Sequence, residues 1–99
     1  MAYFGAVVVT DEQGTQRAEA TCDLQRTESG PNSVATFHGY LEQIQPSQGL
    51  AGLTEASLMF PNGESVPVSL KSREIKVGEK TIVTASFTVT GPVPELYQR

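Results

Sequence analysis

Residues 56–69 read Ala-Ser-Leu-Met-Phe-Pro-Asn-Gly-Glu-Ser-Val-Pro-Val-Ser, and this stretch decides the fold. Pro61 suits the first position of a turn, Asn62 the next, and Gly63 the left-handed site that closes a three-residue hairpin loop. Folding the chain back there sets Leu58 opposite Val66 and Ala56 opposite Val68, with Phe60 beside Glu64 at the turn. Ser57, Pro67 and Ser69 then share the other face, so the hairpin is greasy beneath and polar above. Pro67 has no N–H to give a ladder, which predicts an edge or a bulge in the strand that carries it.

The same odd-even logic extends outward in both directions. Ala18, Ala20, Cys22 and Leu24 alternate with Arg17, Glu19, Thr21 and Asp23, and Ala35, Phe37, Gly39 and Leu41 alternate with Thr36, His38, Tyr40 and Glu42. A tight turn between these segments predicts Leu24 opposite Ala35, Cys22 opposite Phe37, Ala20 opposite Gly39 and Ala18 opposite Leu41. It also pairs Arg17 with Glu42 and Thr21 with His38 across the strands. Residues 81–90 place Val83, Ala85, Phe87 and Val89 inward and Thr84, Ser86, Thr88 and Thr90 outward, with Ile82 breaking the outward pattern. Their connection to Val77 runs through either a two-residue Gly78-Glu79 loop or a three-residue one ending at Lys80. Tyr3, Phe4, Ala6, Val7, Val8 and Val9 leave the first strand with no polar side, so both of its faces are expected to be covered, in part by another subunit.

Turn signals at 11–14, 29–32, 61–63 and 78–80, together with 10 Thr, 8 Ser and 10 Val, predict an all-β fold. The expectation is a six- or seven-stranded antiparallel sandwich or small barrel over residues 1–91. Residues 92–99 are read as an extended C-terminal arm. Helical periodicity is poor, and at most one short helical turn fits near residues 47–56, where Gly49 and Gly52 weaken it. Ninety-nine residues suffice for one domain with its own core.

A net charge of −4 disfavours generic binding to phosphate backbones or anionic lipid. The charge is uneven, because residues 1–60 hold seven acids and two bases while residues 61–99 hold four acids and five bases. Any anion-facing surface is therefore expected in the later part. The single cysteine, Cys22, forbids an internal disulfide and a cysteine-rich zinc site, which suits a reducing, cytoplasmic setting. No basic residue precedes the apolar start and no apolar run approaches 18 residues, so neither a signal peptide nor a membrane span is expected.

Cys22 and His38, with Asp23 to orient the ring, are the residue types of a nucleophilic pair. Parity places Cys22 inward and His38 outward, on opposite sides of one sheet, so a small core filler and a surface histidine are expected instead. Asp11 and Glu12 fall in a turn, where carboxylates serve turn chemistry; Glu74 and Glu79 accompany a basic cluster. The phosphate-loop, dinucleotide, zinc-protease and esterase-elbow strings are missing, as are the paired arginines and D-x-S-x-x-G string of bacterial cyclic-dinucleotide-binding barrels.

These observations predict a domain with no catalytic residue, metal or cofactor that works through protein contact, as an oligomer subunit or accessory module. Tyr3, Phe4, Val93, Leu96 and Tyr97 are its candidate interface residues. The alternative is a barrel-type binder of an anionic ligand or single-stranded nucleic acid. It would use Lys71, Arg73, Lys76 and Lys80 with His38 and Tyr40. Self-association or a protein partner is expected, with nucleic acid second and no membrane.

Overall fold

The computed structural model describes residues 2–27, 35–46, 48–91 and 93. Six antiparallel strands follow in order: β1 (Tyr3–Thr10), β2 (Gln16–Thr27), β3 (Thr36–Gln45), β4 (Glu55–Met59), β5 (Ser65–Val77) and β6 (Lys80–Val89). They form two meanders, β1-β2-β3 and β4-β5-β6. β3 pairs with β6 and β1 with β4, closing a barrel in the order β1-β2-β3-β6-β5-β4. Closure removes the edges that an open sheet of this size would expose, and it resolves the choice between sandwich and barrel. No described residue is helical; instead Gly49, Ala51 and Leu53 N–H donate to the carbonyls of Pro46, Gln48 and Leu50, and Leu50 is buried among the core residues.

The hairpin at residues 56–69 has the expected register, Leu58 opposite Val66 and Ala56 opposite Val68. Phe60 N–H donates to Glu64 O and Gly63 N–H to Phe60 O, with Gly63 at φ +90°. Val77 pairs with Lys80, so the β5–β6 connection is the two-residue loop, and Gly78 takes its left-handed first position at φ +65°.

Inward parity also holds along β2 and β3. Cys22, Leu24, Phe37 and Leu41 are buried together with Val7, Val9, Leu58, Phe60, Val66, Val68 and Phe87. Each such large side chain contributes about 1.5–3 kcal/mol by leaving water.

Four expectations need correction. The β2–β3 register lies four residues along from the expected one: Leu24 faces Gly39 and Cys22 faces Leu41, while Thr27 and Thr36 close the ladder. The proposed Ser29–Asn32 turn lies outside the described residues. Gly39 explains the preference, because a Cβ there would stand 2.9 Å from Phe87 Cζ and closer still to the Asp23 carbonyl oxygen. Only a residue without a side chain lets β2 and the Phe87 ring approach so closely. As a result Thr21 faces Glu42 and Gln25 faces His38, whereas Arg17 forms its ion pair with Asp11 at 3.6 Å.

β5 is not an edge strand, since it pairs with both β4 and β6, although its β6 neighbour does stop at Pro67 as expected. Pro67 ends the β5–β6 ladder, accepting from Thr90 N–H while its own nitrogen has nothing to donate. Nothing in the chain itself covers the outer face of β1, where Phe4 is 63% exposed, so its own core does not enclose both faces of this strand. Val93 is 7% exposed and packs into the chain's own core, so it is not a free docking residue. Leu96 and Tyr97 lie outside the described residues.

Strand β3 leaves β6 at Leu41. Two residues later Gln43 adopts φ +53°, bending β3 so that Ile44 re-enters the core out of step with Leu41. Because β3 turns away there, and because the β4 ladder reaches only to Ser69, β5 and β6 run on alone as a two-stranded arm. Past Ser72, whose partner Ala85 is the last β6 residue to pair with β3, residues 73–77 extend the arm by about 17 Å at ~3.3 Å per residue, consistent with a molecule 48 × 28 × 21 Å.

Candidate functional site

Register across the sheet decides which candidate residues meet. Tyr40 pairs with Ser86 and Ser86 with Lys71; His38 pairs with Thr88 and Thr88 with Ser69. Arg73 pairs with Thr84 one step further along. His38, Tyr40, Lys71 and Arg73 therefore share the outer face of β3-β6-β5. Two shallow depressions flank Tyr40 there, about 480 Å³ and 470 Å³, and both include Tyr40, Lys71 and Ser86 in their walls. Lys80 lies on the same face at the far end of the arm, opposite Val77. Lys76 does not join them, because alternation turns it to the other face with Glu74. Asp23, the partner of Tyr40 on β2, brings a carboxylate to the same row and receives a hydrogen bond from Gln25 Nε2 at 2.6 Å.

The outer face of the arm carries a feature that residue-type searching missed. Ile75 and Ile82 are direct cross-strand partners, 41% and 48% exposed, and Val77 beside them is 58% exposed. Lys71, Arg73 and Lys80 flank this apolar trio on the same face. The signal was present in the sequence as Ile82 out of pattern, but Ile75 joins it only once the two-residue loop is known.

No family model, no curated protein and no solved structure matches this chain. Its chemistry therefore rests on the arrangement of its own side chains.

A second apolar surface lies at the β1–β4 seam. The two strands pair over Val8–Thr10 alone, so the seam is open along Tyr3–Val7. A groove of about 440 Å³ there is walled by Ala6, Val8, Met59, Pro61 and Glu19 among others. Phe4, Ala6 and Val8 stand in a row on the outer face, and their β2 partners are Asp23, Thr21 and Glu19. Glu42 faces Thr21 from β3. The candidate interface residue Tyr3 is half-buried instead, its ring edge-on to Phe60 at 4.9 Å and its hydroxyl donating to Ala6 O at 2.7 Å.

Cys22 is wholly enclosed, facing Gly5 and Leu41 on the inner side of the sheet, while His38 is on the outer side. Burial first, and the neighbouring Asp23 charge second, push its thiol up to about 12. A Cys22–His38 pair is thus excluded by geometry, and the thiol is held in its unreactive form. Asp11 organises its turn: one carboxylate oxygen accepts from Gln13 and Thr15 N–H at 3.0 and 2.9 Å. Among the described residues no group of His, Cys, Asp or Glu is gathered to hold a metal ion. Among the described residues no helix is long and apolar enough to cross a membrane.

Proposed function

We propose that this chain is a protein-contact domain, an oligomer subunit or accessory module in a reducing, cytoplasmic setting, whose contact element is the β5–β6 arm. The observation that carries this reading is the exposed Ile75-Ile82-Val77 trio at the end of a two-stranded ribbon. A ribbon of two strands is marginal in water by itself, and covering apolar area stabilises by roughly 25 cal/mol per Å². The flanking cations select a partner surface that is apolar at its centre and acidic at its rim. A buried free thiol at Cys22 suits the reducing setting.

The test is site-specific photocrosslinking with a probe at position 82 on the apolar face and a control at position 76 on the other. In cells expressing the chain, the reading expects protein adducts from position 82 that Ile75→Ser abolishes, and none from position 76. Equal adducts from both positions, or none from position 82, refute it.

A second reading has its own support, the gathering of Tyr40, His38, Lys71 and Arg73 on one face, which suits stacking of a base and contact with phosphates. Single-stranded DNA titrated at increasing salt checks it. Three neutralised phosphates give a slope of log K against log salt of about −2. Asp23 and Glu42 on the adjoining rows oppose such a ligand, which is why this reading stands second.

A further inference from the structure

We infer that the partner of the arm is a second copy of this chain, and that the arm of one copy docks head-to-tail on the outer face of β1 and the β1–β4 groove of the next. This inference rests on the protein-contact reading and adds the identity and site of the partner. The two surfaces match in kind. The arm presents Ile75, Val77 and Ile82 flanked by Lys71, Arg73 and Lys80. The barrel wall presents Phe4, Ala6, Val8 and Met59 flanked by Glu19, Asp23 and Glu42. None of these six charges is in an ion pair with another described residue. Three positive groups around one apolar patch thus meet three negative groups around another.

The arm and the wall are different surfaces, so the contact is heterologous and repeats from copy to copy, as a ring if the rotation closes and as a filament if it does not. One face of an arm about 17 Å long at ~3.3 Å per residue offers a few hundred Å², well under the ~800 Å² per partner of a stable interface. Assembly is therefore concentration-dependent, and since its specificity comes from surface charge, salt weakens it.

The experiment is light scattering coupled to size-exclusion chromatography on the full chain from about 10 µM to about 1 mM, at low and high salt. The variants are an arm reversal, Lys71→Glu with Arg73→Glu and Lys80→Glu, and a wall reversal, Glu19→Lys with Asp23→Lys and Glu42→Lys. All six positions lie on the outside of the barrel or the arm, and circular dichroism checks that each variant folds. The expected result is a wild-type mass that rises with concentration and falls with salt. Each reversal alone is monomeric, and mixing the two restores the larger species, because reversed arm then meets reversed wall. If the wall reversal alone assembles like wild type, the arms pair with each other and the head-to-tail assignment is overturned. If the wild-type chain is monomeric throughout, the second copy is overturned as the partner, whereas protein adducts from position 82 in cells separately decide whether the arm contacts a different protein.

Discussion

Raising the pH should unlock the core through Cys22. The thiol lies on the inner side of the barrel wall with no exposure, and its folded value of about 12 stands above the 9.0 of a free thiol. Because the folded value is the higher one, the neutral thiol contributes full stability below pH 9. That contribution is lost as the pH climbs towards 12, since the unfolded chain ionises first. At pH 10 the loss is about 1.4 kcal/mol, a sizeable share of the ~5–10 kcal/mol expected for a domain this small. Urea unfolding of wild type and Cys22→Ala between pH 7.5 and 10.5 isolates the effect, because tyrosines and lysines titrate equally in both proteins. At pH 7.5 the alanine variant is less stable by about 1–2 kcal/mol, from the lost sulfur contacts. That gap narrows by about 1.4 kcal/mol at pH 10. Parallel stability curves would refute the enclosure of Cys22, as would labelling of the native protein by a thiol reagent at the rate of an unfolded control.

Three further outcomes test the fold at the β2–β3 register, the bend in β3 and the β1–β2 turn. Gly39→Ala should cost at least about 3 kcal/mol, because the new methyl meets the Asp23 backbone and Phe87 Cζ and neither strand can yield freely; a loss under about 1 kcal/mol by urea unfolding contradicts the observed β2–β3 register. Gln43→Gly should raise stability by up to about 1 kcal/mol and Gln43→Val lower it, since φ +53° burdens any residue with a Cβ and a branched one most. A lower melting temperature for the glycine variant, or a higher one for the valine variant, would contradict the left-handed bend at Gln43. Asp11→Ala should cost about 1–2 kcal/mol through the loss of the two N–H bonds from Gln13 and Thr15. Asp11→Asn retains an accepting oxygen and most of that stability, and equal losses for both variants would move the effect to the Arg17 ion pair.

Alternation alone was enough to separate inner from outer side chains in residues 17–24, 35–41, 56–60, 64–70 and 83–89, because a strand's side chains must point to opposite faces whatever lies beyond it. Turn chemistry was equally legible at Pro61-Asn62-Gly63, where the residue types match the backbone angles they have to adopt. The sequence also brought His38, Tyr40, Lys71 and Arg73 forward by type. Alternation within one strand sets Lys76 apart from Lys71 and Arg73, whereas only the two-residue loop puts Lys80 on their face. The β2–β3 register was beyond such reasoning, since a slip of four residues leaves every side chain on the same face. What selected it was a three-way fit of Gly39, the Asp23 backbone and the Phe87 ring, contributed by three strands. Closure of the barrel, the bend at Gln43, the fate of Val93 and the projection of the β5–β6 arm belong to the same class. Parity is a property of one extended segment and is written in its residues, whereas register, closure and exposure depend on which distant segments arrive beside it.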